Sequence, residues 1–227
     1  MESRSLPMGS GMKKAEIYGA ARRHHERGFT LVEVIVVLSV VLLLTGIAVP
    51  MLSSYMEDGR RARAQAEAKV LGASVMSFYK DVGAYPTKNS AGTNSYLYVL
   101  FSGSALPTTS PWAGGHTWIS WGMSARGDVL DNHLLNNQPQ GATSAAYATT
   151  GSAQWRGPYV AGSTPMDPWG RPYIINVVSA TNTSATNYKR VYVISAGANG
   201  RFDTSANATS TTEITGDDVG IIMHQRP

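Results

Sequence analysis

Cysteine is absent from the 227 residues, so no disulfide closes any loop and the redox state of the compartment leaves no mark on the chain. Charge is scarce as well. Asp, Glu, Lys and Arg make up 15% of the residues, against about 25% in an ordinary soluble domain. The scarcity is uneven. The 19 residues from Val34 to Leu52 carry no charge, and between 88 and 154 only Lys88, Arg126, Asp128 and Asp131 do. Also missing are G-x-S-x-G, H-E-x-x-H and G-x-x-x-x-G-K-[ST], the spacings that place a nucleophile, a catalytic zinc or a phosphate loop. No catalytic residue is therefore assigned, and the chain is not expected to be an enzyme. The formal charge of +4 misleads. Residues 1–28 hold six basic and three acidic residues, which leaves 13 basic and 12 acidic over the rest. Such a balance does not attract polyanions, and no nucleic acid is expected as a partner.

What is present begins at Arg27: R-G-F-T-L-V-E, then the uncharged run. Within that run only Ser39, Thr45, Gly46 and Pro50 are not strongly apolar. As a helix it extends roughly 28 Å, about the thickness of a bilayer core. Glu33 is the one charge at its front. A secretory signal places a small-residue cleavage site after its apolar region, but here the chain continues as Ser53-Ser54-Tyr55-Met56-Glu57-Asp58. The processing point that fits lies before the run, between Gly28 and Phe29.

This arrangement, a basic leader, G-F-T-L-V-E and an apolar helix, resembles the class III signal of type IV pilins and type II secretion pseudopilins. The resemblance implies that a prepilin peptidase cuts after Gly28 and that the new amino group of Phe29 is methylated. It also implies that Glu33 sets the subunit's place in a helical filament. A carboxylate in mid-membrane costs about 2.5–3.5 kcal/mol on insertion scales. An amine protonated near neutral pH is its natural partner, and in a filament that amine can belong to a neighbouring subunit. The leader side has five basic residues near the membrane and the far side four, a weak bias. The resemblance puts the leader in the cytoplasm and the C-terminal domain in the periplasm or outside the cell.

The chain divides into a leader (1–28), a transmembrane helix (29–53), a soluble half-helix with its junction (54–87), a loop-rich variable region (88–154), and an antiparallel sheet with a C-terminal acidic loop (155–227). One helix is expected from Phe29 to about Asp81, kinked or loosened at Pro50. Ala64, Ala68, Leu71, Val75 and Phe78 form one apolar stripe at helical spacing that should pack on the sheet. Arg60, Arg61 and Arg63 read as a solvated face, and Gly83 as the stop. Tyr79 to Thr87, Y-K-D-V-G-A-Y-P-T, resembles the junction of the major pseudopilins, with Tyr85 packing back on the helix end. Short helices are expected at Ser95–Phe101 and Asp128–Leu135. Trp112, Trp118, Trp121 and His116 either decorate a surface loop or form a binding face for a partner or sugar. His116 and His133 stand apart from other ligand types, so zinc is not expected.

M-D-P-W-G-R-P-Y resembles the pseudopilin D-P-W-G motif, and its Asp-Pro-Trp-Gly reads as a tight turn. Strands should follow at Tyr173–Val178 and Tyr188–Ser195, joined by a hairpin over Ser179–Asn187. The fold class is thus α+β: a long N-terminal helix on a small antiparallel sheet, type IV pilin-like, with a loop-rich insertion. The end of the chain, I-S-A-G-A-N-G-R-F-D and T-G-D-D-V-G, resembles the calcium loop of these pseudopilins. The resemblance implies ligands at Ala196 (main chain), Asn199, Asp203, Asp217 and Asp218, with Asn199 standing where the family usually has an aspartate. Calcium takes six to eight oxygens on a flexible loop; the plain alternative is a pair of Asx turns with solvated carboxylates.

The function this implies is a structural subunit of a type II secretion pseudopilus that supports export of folded proteins. The expected partners are further copies of itself, other pseudopilins, an inner-membrane assembly platform, prepilin peptidase and the membrane. The alternative is a type IV pilin in adhesion, motility or DNA uptake.

Overall fold

The structure, a computed structural model, describes residues 28–112, 126–181, 189–206 and 213–225. Two compact units divide the chain, one ending at Ala48 and one running from Val49 to Pro227.

The chain begins with α1, Leu31–Val82, a helix of 52 residues. Thr30 starts it: its Oγ1 accepts the Glu33 N–H at 3.2 Å and its carbonyl accepts the Val34 N–H. T-x-x-E is a capping-box spacing that the sequence reading passed over. Helical assignment continues through Gly46 and Pro50 without a break. Thr45 and Ser53 return their hydroxyls to the Val41 and Val49 carbonyls, as polar side chains do on a helix in an apolar setting. The helix ends at Gly83, whose φ of 77° closes it and whose N–H reaches the Tyr79 carbonyl at 2.8 Å. Tyr85 then folds back, its ring 4.9 Å from that of Tyr79.

Five strands form one sheet. In chain order they are β1 (Val99–Phe101), β2 (Gly127–Val129), β3 (Ile174–Asn176), β4 (Arg190–Ser195) and β5 (Val219–Gln225). Their spatial order is β2-β1-β3-β4-β5. The β1–β3, β3–β4 and β4–β5 pairs are antiparallel, but β1 and β2 run parallel. The sheet is therefore mixed, which corrects the expectation of an antiparallel one.

Both faces of the sheet are covered, so alternate residues of each strand enter different cores. On one face the stripe of α1 (Ala68, Leu71, Val75, Phe78) meets Leu100, Tyr173, Ile175, Val191 and Val193. All five expected stripe residues are at most 1% exposed. On the other face Val99, Phe101, Ile174, Tyr192 and Ile194 meet Trp112, Phe202 and Ala206. Fully burying each such side chain contributes about 1.5–3 kcal/mol. Val99–Phe101 and the centre of β4 read as unbroken apolar runs because both of their faces are buried.

Several local expectations are corrected here. Val99–Phe101 is a strand, not a helix, because its backbone finds β2 and β3 on either side. The segment expected as a helix at Asp128–Leu135 is β2 followed directly by a short helix, α2 (Leu130–Leu134). Val178–Thr181 is a helical turn, α3, where a hairpin was expected, and residues 182–188 lie outside the described residues. Trp112 is a core residue, 5.1 Å from the Phe202 ring, not part of a binding face. His116, Trp118 and Trp121 lie outside the described residues.

The described part of 126–154 is held by buried polar pairs. His133 is fully buried, with Nδ1 2.8 Å from the Tyr147 hydroxyl and Nε2 2.9 Å from Asp128 Oδ2. Asp128 also accepts the Gln140 N–H at 2.6 Å. Asp131 accepts from both the N–H and the hydroxyl of Thr164.

Candidate functional site

Two places carry the residues singled out by sequence, and each is described on its own. The first is the start of α1. Phe29 is 82% exposed, and the apolar side chains from Leu31 through Leu52 are all about half exposed or more. The most apolar 18-residue stretch of this helix buries nothing within the protein, and by length and composition it is able to cross a membrane. Glu33 shares one shallow surface with Phe29, Val34, Val37 and Leu38. The carboxylate sits one turn from the expected new terminus, on the same side as greasy neighbours.

The second place is the loop after β4 and the one before β5. It forms because glycines let backbone and carboxylates approach closely. At Gly216, whose φ is 67°, a Cβ would lie 2.1 Å from Asp203 Oδ2; at Gly197, φ 60°, it would lie 2.0 Å from the Asp217 carbonyl oxygen. Neither position accepts a side chain.

Each acid is gripped by one oxygen. Asp217 Oδ2 accepts the Asn199 N–H at 2.8 Å. Asp218 Oδ2 accepts the N–H groups of Asp203 and Thr204 at 3.0 and 2.7 Å. Asp203 Oδ2 accepts from Asn199 Nδ2 and the Asp217 N–H, both at 3.3 Å. The other oxygens of Asp217 and Asp218 are buried and meet no donor among the described residues. A buried carboxylate oxygen left unpaired is costly, and a bound cation is one arrangement that offsets the cost. The donor set thus fits an oxygen-liking ion in part. Asn199 spends its own oxygen on the Arg201 N–H at 2.6 Å, an Asx turn. Ala196 is fully buried at the end of β4. Among the described residues, no three His, Cys, Asp or Glu side chains gather as a metal cluster, so an ion here would depend on carbonyl and amide oxygens as well.

The surroundings of this loop were not legible in sequence. Asp167-Pro168-Trp169-Gly170 is the turn expected, with the Gly170 N–H 2.9 Å from the Asp167 carbonyl. The turn is also wired to the loop: the Ser195 hydroxyl donates to Asp167 Oδ2 at 2.6 Å and accepts from the Gly197 N–H. Arg171 donates to the Gly197 carbonyl. From α1, Arg61 Nη2 lies 3.8 Å from Asp217 Oδ2, and Glu57 accepts from Trp169 Nε1. Arg61 is thus not merely a solvated residue. Only the adjacency of Arg171 to D-P-W-G offered a signal; Arg61 offered none.

A family model described as prokaryotic N-terminal methylation motif matches residues 23–49. A second, described as type II secretion system protein G, matches residues 129–213. The two matches, over residues 23–49 and 129–213, support a type II secretion pseudopilin. No curated protein and no solved structure matches it. The protein G match takes in the D-P-W-G turn, β3, β4, Ala196, Asn199 and Asp203; Asp217 and Asp218 lie beyond it. Together the two matches support a pseudopilin or type IV pilin-like secretion subunit, and the protein G family they point to is a structural one. The methylation motif and the apolar helix are consistent with a single-pass inner-membrane protein.

The acids of the loop carry a pH signature. Burial pushes the Asp218 carboxyl up to about 6, against the hydrogen bonds it accepts from Thr204 and Asp203. Burial also raises Asp167. Both hold a proton more tightly folded than unfolded, so their contribution to stability is fully present below about pH 4 and is lost as pH rises towards 6. In the metal-free protein, wild type should therefore lose melting temperature between pH 4 and 6 relative to Asp218→Asn. Melts in chelator across that window check this, and parallel curves for the two proteins contradict it.

Proposed function

We propose that this pseudopilin is a filament subunit of a type II secretion pseudopilus, processed between Gly28 and Phe29 and assembled through α1 to support export of folded proteins. The observation that carries the reading is the pairing of two features in one chain. One is a prepilin-type start on an apolar helix that no described residue covers; the other is a protein G-type match. Exposed in water, each uncovered Val or Leu forfeits about 1.5–3 kcal/mol relative to burial. A bilayer before assembly, and neighbouring helices after it, remove that cost.

In this reading prepilin peptidase exposes the Phe29 amine, and Glu33 of one subunit pairs with the amine of a neighbour. Membrane insertion selects the helix, while the ion pair selects its axial position. The partners are copies of the same chain, other pseudopilins and the inner-membrane assembly platform. The C-terminal domain lies on the periplasmic side or outside the cell.

The acidic loop is proposed to hold calcium. Asp217 and Asp218 would supply the carboxylate oxygens that meet no donor among the described residues, with Asp203, Asn199 and the Ala196 carbonyl as the further ligands implied by family resemblance. The ion would supply fixed positive charge and no chemistry. For a chain without cysteine, it would staple the loop that covers one face of the sheet.

Mass spectrometry of the membrane-extracted protein should find a chain beginning at methylated Phe29; an intact chain from Met1 in cells with active peptidase contradicts the processing. Chelation should lower the melting temperature of wild type, and Asp217→Ala should abolish that response. A melting temperature indifferent to chelator would remove calcium from the account.

A further inference from the structure

The contact between α1 and the acidic loop has a use that neither the family match nor the ligand set assigns. We propose that Arg61 is a positioning residue for the cation loop, so that a residue of the filament-forming helix sets how tightly the loop holds calcium. This rests on the calcium reading above.

The loop acids share one design. Asp218, 8% exposed, is held by two N–H groups on Oδ2, while its buried Oδ1 meets no donor among the described residues. Asp217 repeats the pattern: Oδ2 takes the Asn199 N–H, and Oδ1 is buried without a donor among the described residues. The difference lies in the second grip. Asp218 has its two donors from the loop itself, whereas Asp217 has one from the loop and one charge from outside, Arg61 Nη2 at 3.8 Å. Arg61 is held in turn. Its Nε stands 3.9 Å from Glu57 Oε1, and the other oxygen of Glu57 accepts from Trp169 of the D-P-W-G turn. The guanidinium is thus placed between two carboxylates, one on its own helix and one in the loop.

Two effects of Arg61 on a cation oppose each other. Its charge repels the ion, and its grip orients the ligand. The Arg61 side chain is 41% exposed, so solvent screens the repulsion. Partners that orient metal ligands commonly change affinity about 10–100-fold. On this proposal orientation outweighs the screened repulsion, and removing Arg61 weakens binding. The same link makes the coupling mutual: calcium that fixes Asp217 fixes the Glu57–Arg61 stretch of α1.

The test uses the full mature chain in detergent, titrated with calcium chloride by calorimetry, alongside hydrogen exchange of amides 57–63. Wild type should bind calcium and slow exchange over 57–63 when it does. Arg61→Ala should bind about tenfold more weakly and lose that slowing, and Arg61→Lys, with the same charge, should recover most of the affinity. If Arg61→Ala lacks a cooperative melt in chelator, Arg61→Gln, which keeps most of the stem, replaces it. Equal or tighter binding by the variant, with the slowing retained, overturns the positioning role. Failure of the calcium reading looks different: wild type itself gives no calcium heat, behaves as Asp217→Ala does, and both ideas fall together.

Discussion

Everything in this protein follows from one helix whose apolar surface is satisfied in two different ways. In its C-terminal half the stripe Ala64, Ala68, Leu71, Val75 and Phe78 is buried by the chain's own sheet. In its N-terminal half the apolar residues surround the whole helix and, among the described residues, nothing buries them. A helix apolar all round needs an apolar solvent or neighbours of its own sort. The sheet, the turn and the acidic loop stabilise the first half; an apolar environment is what the second half requires.

The sheet depends on a second closure. Its face away from α1 is covered by Trp112, Phe202 and Ala206, and the last two belong to the stretch that also presents Asp203. The acids therefore do not hang from a finished domain. They brace the segment that completes its second core, and Arg61, Glu57, Trp169 and Arg171 tie that segment to the helix and the turn. An ion bound there would act on packing as much as on charge.

Much of the α1 side was legible because its signals are local. A stripe at helical spacing, a glycine after Val82 and an Asp-Pro-Trp-Gly turn each depend on neighbours a few residues away. The low-charge region was not, for a physical reason. Val99–Leu100–Phe101 is a three-residue strand buried on both faces, which leaves no alternation to read. Its parallel partner Gly127–Val129 lies far along the chain, and no hairpin turn announces the pairing. Trp112 was open to reading as loop decoration or as part of a binding face because nothing in sequence places Phe202 beside it. In the acidic loop the residues were visible but their geometry was not: Asn199 spends its oxygen on Arg201, and Arg61 reaches Asp217 across most of the chain.

The central claim is that α1 is built to stand beside copies of itself, and that the carboxylate at its front selects the position. The most direct measurement is fibre formation by Glu33→Ala, expressed with the secretion machinery, sheared from cells and counted beside wild type. The account predicts a variant that enters the membrane and is trimmed to Phe29 but yields few or no fibres, since the uncharged helix inserts as well and registers poorly. Fibres in normal number and of normal regularity from that variant would contradict it.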